Sequence, residues 1–217
     1  MLTVVTNTRG GSETLERCRA SVADALPQGA IHKVITIEDM ETFNENRYKS
    51  SLVDELVAFV DDDDMIHPDS LRLCLEAIQS TNANLAFTDE VIVNNVDINV
   101  RSIQNTKLVT KIKTYKGIAR TPLEAHHLCI MRTSAIKPIA LELALRHGRG
   151  IEWLLNTSCA LSGRGAVYIP FIGYYWIRHP MQRTQTHPYK IATISAISNS
   201  IRATWNVPDI NIPNYLP

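Results

Sequence analysis

The stretch that leaves this chain the fewest options is Val57-Ala58-Phe59-Val60 running directly into Asp61-Asp62-Asp63-Asp64. Four apolar residues, two of them β-branched and one aromatic, are too few for a helix and read as a short strand buried on both faces. Four consecutive carboxylates repel one another, which is tolerable only in water or around a positive charge. Acid runs are usually solvated loops. These acids, however, follow the carboxyl end of a strand, the edge at which open α/β sheets bind ligands. A hard divalent cation such as Mg²⁺ or Mn²⁺ takes oxygen ligands and keeps positions open for phosphates, so a carboxylate pair here reads as a diphosphate clamp.

The rest of the chain supplies such a sheet. Leu2-Thr3-Val4-Val5-Thr6 reads as a first strand, with Asn7 to Ser12 as its loop. Leu15, Cys18, Val22 and Leu26 then recur at helical spacing until Pro27 and Gly29 stop them. Residues 31–37 form a second strand ending in Glu38 and Asp39, and Tyr48, Leu52 and Leu56 predict a helix over 44–56. Pro68 suits the first position of a helix carrying Leu71, Cys74, Leu75 and Ile78. A further strand, Leu85-Ala86-Phe87-Thr88, ends at Asp89-Glu90 and is followed by Val91-Ile92-Val93. Strands alternating with helices give an α/β class with a mainly parallel sheet. Further on, the pattern predicts a strand over 125–132, helices over 138–146 and from Gly150 to Gly163, strands over 166–170 and 173–177, and a closing helix over 189–205.

The net charge of zero conceals a division: residues 1–97 hold seven Lys/Arg against eighteen Asp/Glu, and residues 98–217 hold fifteen against four. The acidic half can hold a metal while the basic half faces an anionic substrate or partner, or the halves simply attract each other. Residues 97–125 lack a clear period and carry Arg101, Lys107, Lys111, Lys113, Lys116 and Arg120, which suits either a solvated loop or a grip on an anionic acceptor. No apolar run approaches a membrane span and the N-terminus lacks a signal-peptide pattern, so a cytoplasmic place is expected. Cys18, Cys74, Cys129 and Cys159 show no metal-type spacing and read as reduced core thiols.

The ordered set comprises Thr6-Asn7-Thr8-Arg9, Glu38-Asp39, Asn46-Arg47, the four acids after Phe59-Val60, and His67-Pro68-Asp69-Ser70-Leu71. It resembles the nucleotide-sugar half of a GT-A fold glycosyltransferase of the family 2 type, over roughly residues 1–95 and again near 145–182. The resemblance implies a single GT-A domain over 1–217, with a Rossmann-like nucleotide-binding sheet and mixed strands on the acceptor side. Residues 1–97 would bind the nucleotide sugar, and residues 98–217 would bind the acceptor and carry the base. Thr6, Asn7, Thr8 and Arg9, with Glu38 or Asp39, would hold base and ribose, and Asn46 and Arg47 would lie near the nucleotide. For Arg47, an ordinary surface helix charge is the other reading. Asp61 and Asp62 would sit by ribose and sugar. Asp63 would be the carboxylate on Mn²⁺ or Mg²⁺, with Asp64 its substitute because a run of four acids leaves the register open.

In the second half the family's base is an acid before a Trp, matched by Glu152 and Trp153, although Ile151 stands where a further acid is usual. Glu152 would take the acceptor's proton, or else only favour the helix N-terminus. One of His126 and His127 would touch the acceptor together with Trp153, since neighbours on a strand face opposite ways. His179 would complete the metal site or touch the diphosphate, Arg178 and Arg183 would neutralise departing phosphate, and residues 184–187 would form a lid. The implied activity is inverting transfer from a nucleoside diphosphate sugar, a UDP-sugar on resemblance alone, to a hydroxyl. A hydroxylated base in DNA, as in phage-like DNA modification, suits the basic half, and a cell-surface glycan is the alternative. A nucleotidyltransferase, or a non-catalytic nucleotide or nucleic-acid binder, remains open from other classes.

Overall fold

A computed structural model describes residues 1–9, 13–37, 40–94, 99–102, 125, 127–178 and 191–206. Glu38, Asp39, His126, His179, Arg183, residues 184–187, most of the basic segment and the tail 207–217 therefore lie outside the described residues.

Strands β1 (Leu2–Thr8), β2 (Ile31–Thr36) and β3 (Leu56–Phe59) are joined through helices α1 (Glu13–Ala25) and α2 (Met40–Ser50). Each crossover returns the chain parallel to the strand it left, so β1 lies between β2 and β3 with both ladders parallel. Then come β4 (Met65–Ile66), α3 (Ser70–Thr81), β5 (Leu85–Asn94), β6 (Asn99–Ser102) and β7 (Cys129–Arg132). Helices α4 (Ile139–His147) and α5 (Ile151–Leu161), strand β8 (Ala166–Arg178) and helix α6 (Ile191–Trp205) complete the described chain. The sheet order is β2-β1-β3-β7-β5-β8-β4, with β6 beside the far part of β5.

The longest ladder, β5 with β8, is also parallel, whereas β7 enters between β3 and β5 antiparallel to both. The first half is thus a parallel sheet, and the second half adds mixed strands. Side-chain alternation divides the core in two. Val5, Val57, Phe59, Leu85 and Phe87 pack toward α4, α5 and α6. Val4, Ala58, Val60, Ala86 and Ile130 pack toward α1 and α3. Burial of β3 on both faces fixes where the acids emerge, because a slip of one residue would turn Phe59 and Asp61 to the wrong side.

Three expectations shift. The second helix ends at Ser50, not Leu56: Leu52 is 47% exposed, and the Leu56 N–H is taken by the Met1 carbonyl as β3 begins. The two late strands are one, β8, and the 85–88 and 91–93 runs are likewise one strand, with register shifts around Asp89. Only Cys129–Arg132 of the 125–132 run is strand, so His127 sits in the bend before it.

Candidate active site

The site is built around a turn. At the end of β3 the chain reverses over Asp61 to Asp64, closed by the Asp64 N–H on the Asp61 carbonyl at 3.1 Å. Asp64 is 1% exposed and held by both oxygens: Oδ2 accepts the Tyr174 hydroxyl at 2.7 Å and Oδ1 accepts the Ile177 N–H at 2.8 Å. The Tyr174 oxygen also accepts the Asp61 N–H at 3.2 Å. Burial first, then the Asp63 and Asp61 charges, push the Asp64 carboxyl well above its usual range, against those two hydrogen bonds. Burial first, then the Asp64 and Asp61 charges, hold the Tyr174 phenol well above its ordinary value, so it stays a donor.

Beneath the turn lies Arg47. Its guanidinium is enclosed between the rings of Phe43, one turn earlier on α2, and Phe59, two residues before Asp61, at 5.0 and 4.6 Å from their centroids. Nη2 donates to Asp61 Oδ1 at 2.9 Å, and Nη1 donates to Glu152 Oε1 on α5. Burial opposes the charge, but Glu152 and Asp61 outweigh it and raise the pKa of Arg47 above its ordinary value. Glu152 comes close because α4 and α5 are joined through Gly148 and Gly150, both at positive φ, with Gly150 at +86°. A Cβ at Gly150 would stand 2.9 Å from Ile197.

On the other side of the turn, His127 stacks on Tyr174 with centroids 4.5 Å apart and planes at 6°, and lies 5.4 Å from Trp176. Its Nε2 is 3.8 Å from Glu90 Oε2. The residue after it, Leu128, has φ of +38°, a strained value for a branched side chain. Ligand atoms of Asp61, Asp64 and His127 lie within 4.8 Å of one another. Two carboxylates and an imidazole within that reach suit Mn²⁺, so these residues fit such an ion.

The expected nucleotide loop is split by burial. Thr6 is fully buried, with its hydroxyl 3.0 Å from His32 Nε2 and 3.7 Å from Cys18 Sγ, so it serves the interior and not the opening. Asn7 is buried with both amide atoms lacking a partner among the described residues, Thr8 is buried, and Arg9 is exposed. Asn46, Asp62 and Asp63 are half-buried. Arg47 is neither a surface charge nor open to a nucleotide. Arg178 ends β8 with its guanidinium 4.7 Å from the Trp176 ring centroid. Trp153, in the first turn of α5, packs against the core with its indole N–H buried and without a partner among the described residues. His127 belongs with the acids, where His179 was expected. From sequence Tyr174 reads only as a strand residue and Glu90 only as a strand-end residue, and no local signal marks their place beside the acid turn.

This sheet order, with an acid turn at the end of β3, is the GT-A glycosyltransferase fold. No family model and no curated protein matches the chain. Among solved structures it is similar to S. aureus TarS 1–349 in complex with UDP-GlcNAc, at a TM-score of 0.67 and 13% identity over 96% of this chain and 68% of that one. TarS 1–349 in complex with UDP gives 0.62 and 17% over 93% and 65%, and a longer S. aureus TarS chain gives 0.62 and 14% over 93% and 39%. In another TarS 1–349 crystal structure the match spans 60% of that chain. Among the described residues, no helix is long and apolar enough to cross a membrane.

Proposed function

We propose that the protein is a glycosyltransferase that moves a sugar from a nucleoside diphosphate sugar to an acceptor hydroxyl. The observation that carries this reading is the meeting of Asp61 and Glu152, from opposite halves of the chain, on one buried guanidinium at the carboxyl edge of a GT-A sheet. Likeness to TarS in complex with UDP-GlcNAc and with UDP supports a UDP-sugar donor. Asn7, Thr8 and Arg9, with Glu38 or Asp39, would hold base and ribose, and Asp61, beside Asp62, would serve the ribose or the sugar. Mn²⁺ or Mg²⁺ would be held by Asp61, Asp64 and His127, with Asp63 at the tip of the turn and His179 just past β8, and when bound it supplies positive charge to the departing diphosphate.

The chain's own residues do the rest. Arg178 places a fixed cation near the phosphates. Glu152 accepts the acceptor hydroxyl's proton as that oxygen bonds to the anomeric carbon. The bond from that carbon to the diphosphate breaks on the opposite face, which inverts the centre. Trp153, with His126, borders the acceptor. The fifteen basic residues against four acids in 98–217 favour an anionic acceptor, and a hydroxylated base in DNA is the particular candidate, ahead of a glycan. Buried free thiols and a nucleotide-sugar donor favour the cytoplasm.

Titration with UDP and Mn²⁺, followed by donor turnover on wild type and Glu152→Gln, tests this. Both should bind, and the variant should turn over about 10²–10⁴-fold more slowly. Binding without turnover in either protein would leave only a nucleotide binder. Mass spectrometry after offering hydroxymethylated DNA and candidate glycans decides the acceptor, and transfer to glycans alone ends the DNA assignment.

A further inference from the structure

We infer that Arg47 is the positioning residue of this reaction, holding the Glu152 carboxylate for the acceptor's proton while tying it to Asp61 on the donor side; the inference rests on the glycosyltransferase reading above. The Arg47 side chain is 3% exposed, so it touches neither substrate, whereas those of Asp61 and Glu152 are 37% and 34% exposed. Each carboxylate uses one oxygen on the guanidinium, Oδ1 of Asp61 and Oε1 of Glu152, which leaves Oε2 of Glu152 to take a proton. The rings of Phe43 and Phe59 stop the guanidinium from swinging.

The partners come from three places in the chain: α2, the turn after β3, and the first turn of α5. Loss of the cation would leave two carboxylates facing each other across a buried hollow, and Glu152 would have no fixed direction. A guanidinium presents two N–H groups in a rigid fork, so one residue can fix both acids at once. A lysine ammonium keeps the charge but not the fork.

Such a residue acts through Glu152, which a double-mutant comparison detects. Arg47→Met should lower kcat about 10–100-fold, a share of what a general base contributes. Arg47→Lys should recover part of that loss. In a Glu152→Gln background, Arg47→Met should change the residual kcat by less than about threefold, while any change in donor KM, transmitted through Asp61, should persist in both backgrounds. Independent, multiplying losses of kcat would assign Arg47 a structural role and overturn the proposal, as would a wild-type kcat in Arg47→Met. If Arg47→Met does not fold by circular dichroism, Arg47→Lys with and without Glu152→Gln carries the same comparison. A wild type that neither transfers nor hydrolyses any sugar nucleotide would remove the glycosyltransferase reading and this proposal with it, a result distinct from an active wild type whose losses multiply.

Discussion

Tyr174 donates its hydroxyl to Asp64 and accepts the Asp61 N–H, so one phenol on β8 fastens both ends of the acid turn. The side chain is fully buried, and water does not replace either bond. This is how a run of four acids becomes a shaped site: one is anchored from behind and the others are carried to the edge.

Tyr174→Phe removes only that oxygen, leaving a buried carboxylate and a backbone N–H each short of a partner. The expected loss is about 1–3 kcal/mol, seen as a lower urea midpoint at an unchanged slope. A change below about 0.5 kcal/mol would mean that the phenol does not bear on the turn.

Asp64 binds its proton more tightly in the folded chain than in the unfolded one. As pH rises from the ordinary aspartate range through the raised folded value, the unfolded chain releases protons that the native chain keeps, and stability falls. A cation in the cluster displaces that proton, so Mn²⁺ should stabilise more at pH 8 than at pH 5. At 100 times its Kd the gain is about 2.7 kcal/mol, or roughly 5–10 °C in Tm for a chain of this size. Asp61→Asn and His127→Ala should shrink it. Equal shifts at both pH values, or shifts undiminished in the variants, would rule out this ligand set.

The strand and its acids are legible because a short apolar run admits one structure and the acids begin where it ends. The register within the acids was not: it is set by Tyr174 and Ile177, far along the chain, and local sequence carries no trace of that pairing. The burial of Arg47 beneath the acids is not legible, since only Phe43 one turn away hints at it and Phe59 comes from another element. His127 was read as strand, but the positive φ at Leu128 delays β7 and turns the imidazole onto Tyr174. Helix α2 was overrun because Tyr48, Leu52 and Leu56 mimic a period, and pairing of Leu56 with Leu2 overrides it.

Gly173 marks a second constraint on the turn. Its carbonyl accepts the His67 N–H at 3.0 Å, and a Cβ there would run into Thr88, nearest to Oγ1 and 2.9 Å from both Cβ and Cγ2, beside the register shift in β5. Gly173→Ala should cost about 1–3 kcal/mol by overpacking, and Thr88→Ala should return part of it by removing Oγ1 and Cγ2. Urea denaturation of the single and double variants measures this. If the two losses simply add, the close approach is not their cause.

The four cysteines are free and buried, and burial alone accounts for most of their chemistry. It pushes the Cys18 and Cys74 thiols up to about 12 and raises those of Cys129 and Cys159 as well. The thiolate is the reactive form, so at pH 8 only about one in 10⁴ of such thiols is poised to react, and the surrounding side chains exclude the reagent. Ellman's reagent should therefore find no reactive thiol in the native protein over minutes and four in urea, with slow native labelling following the rate of opening. A native thiol that reacts within seconds would identify a cysteine in an open environment, and mass spectrometry of the labelled peptide would say which of the four packing arrangements is at fault.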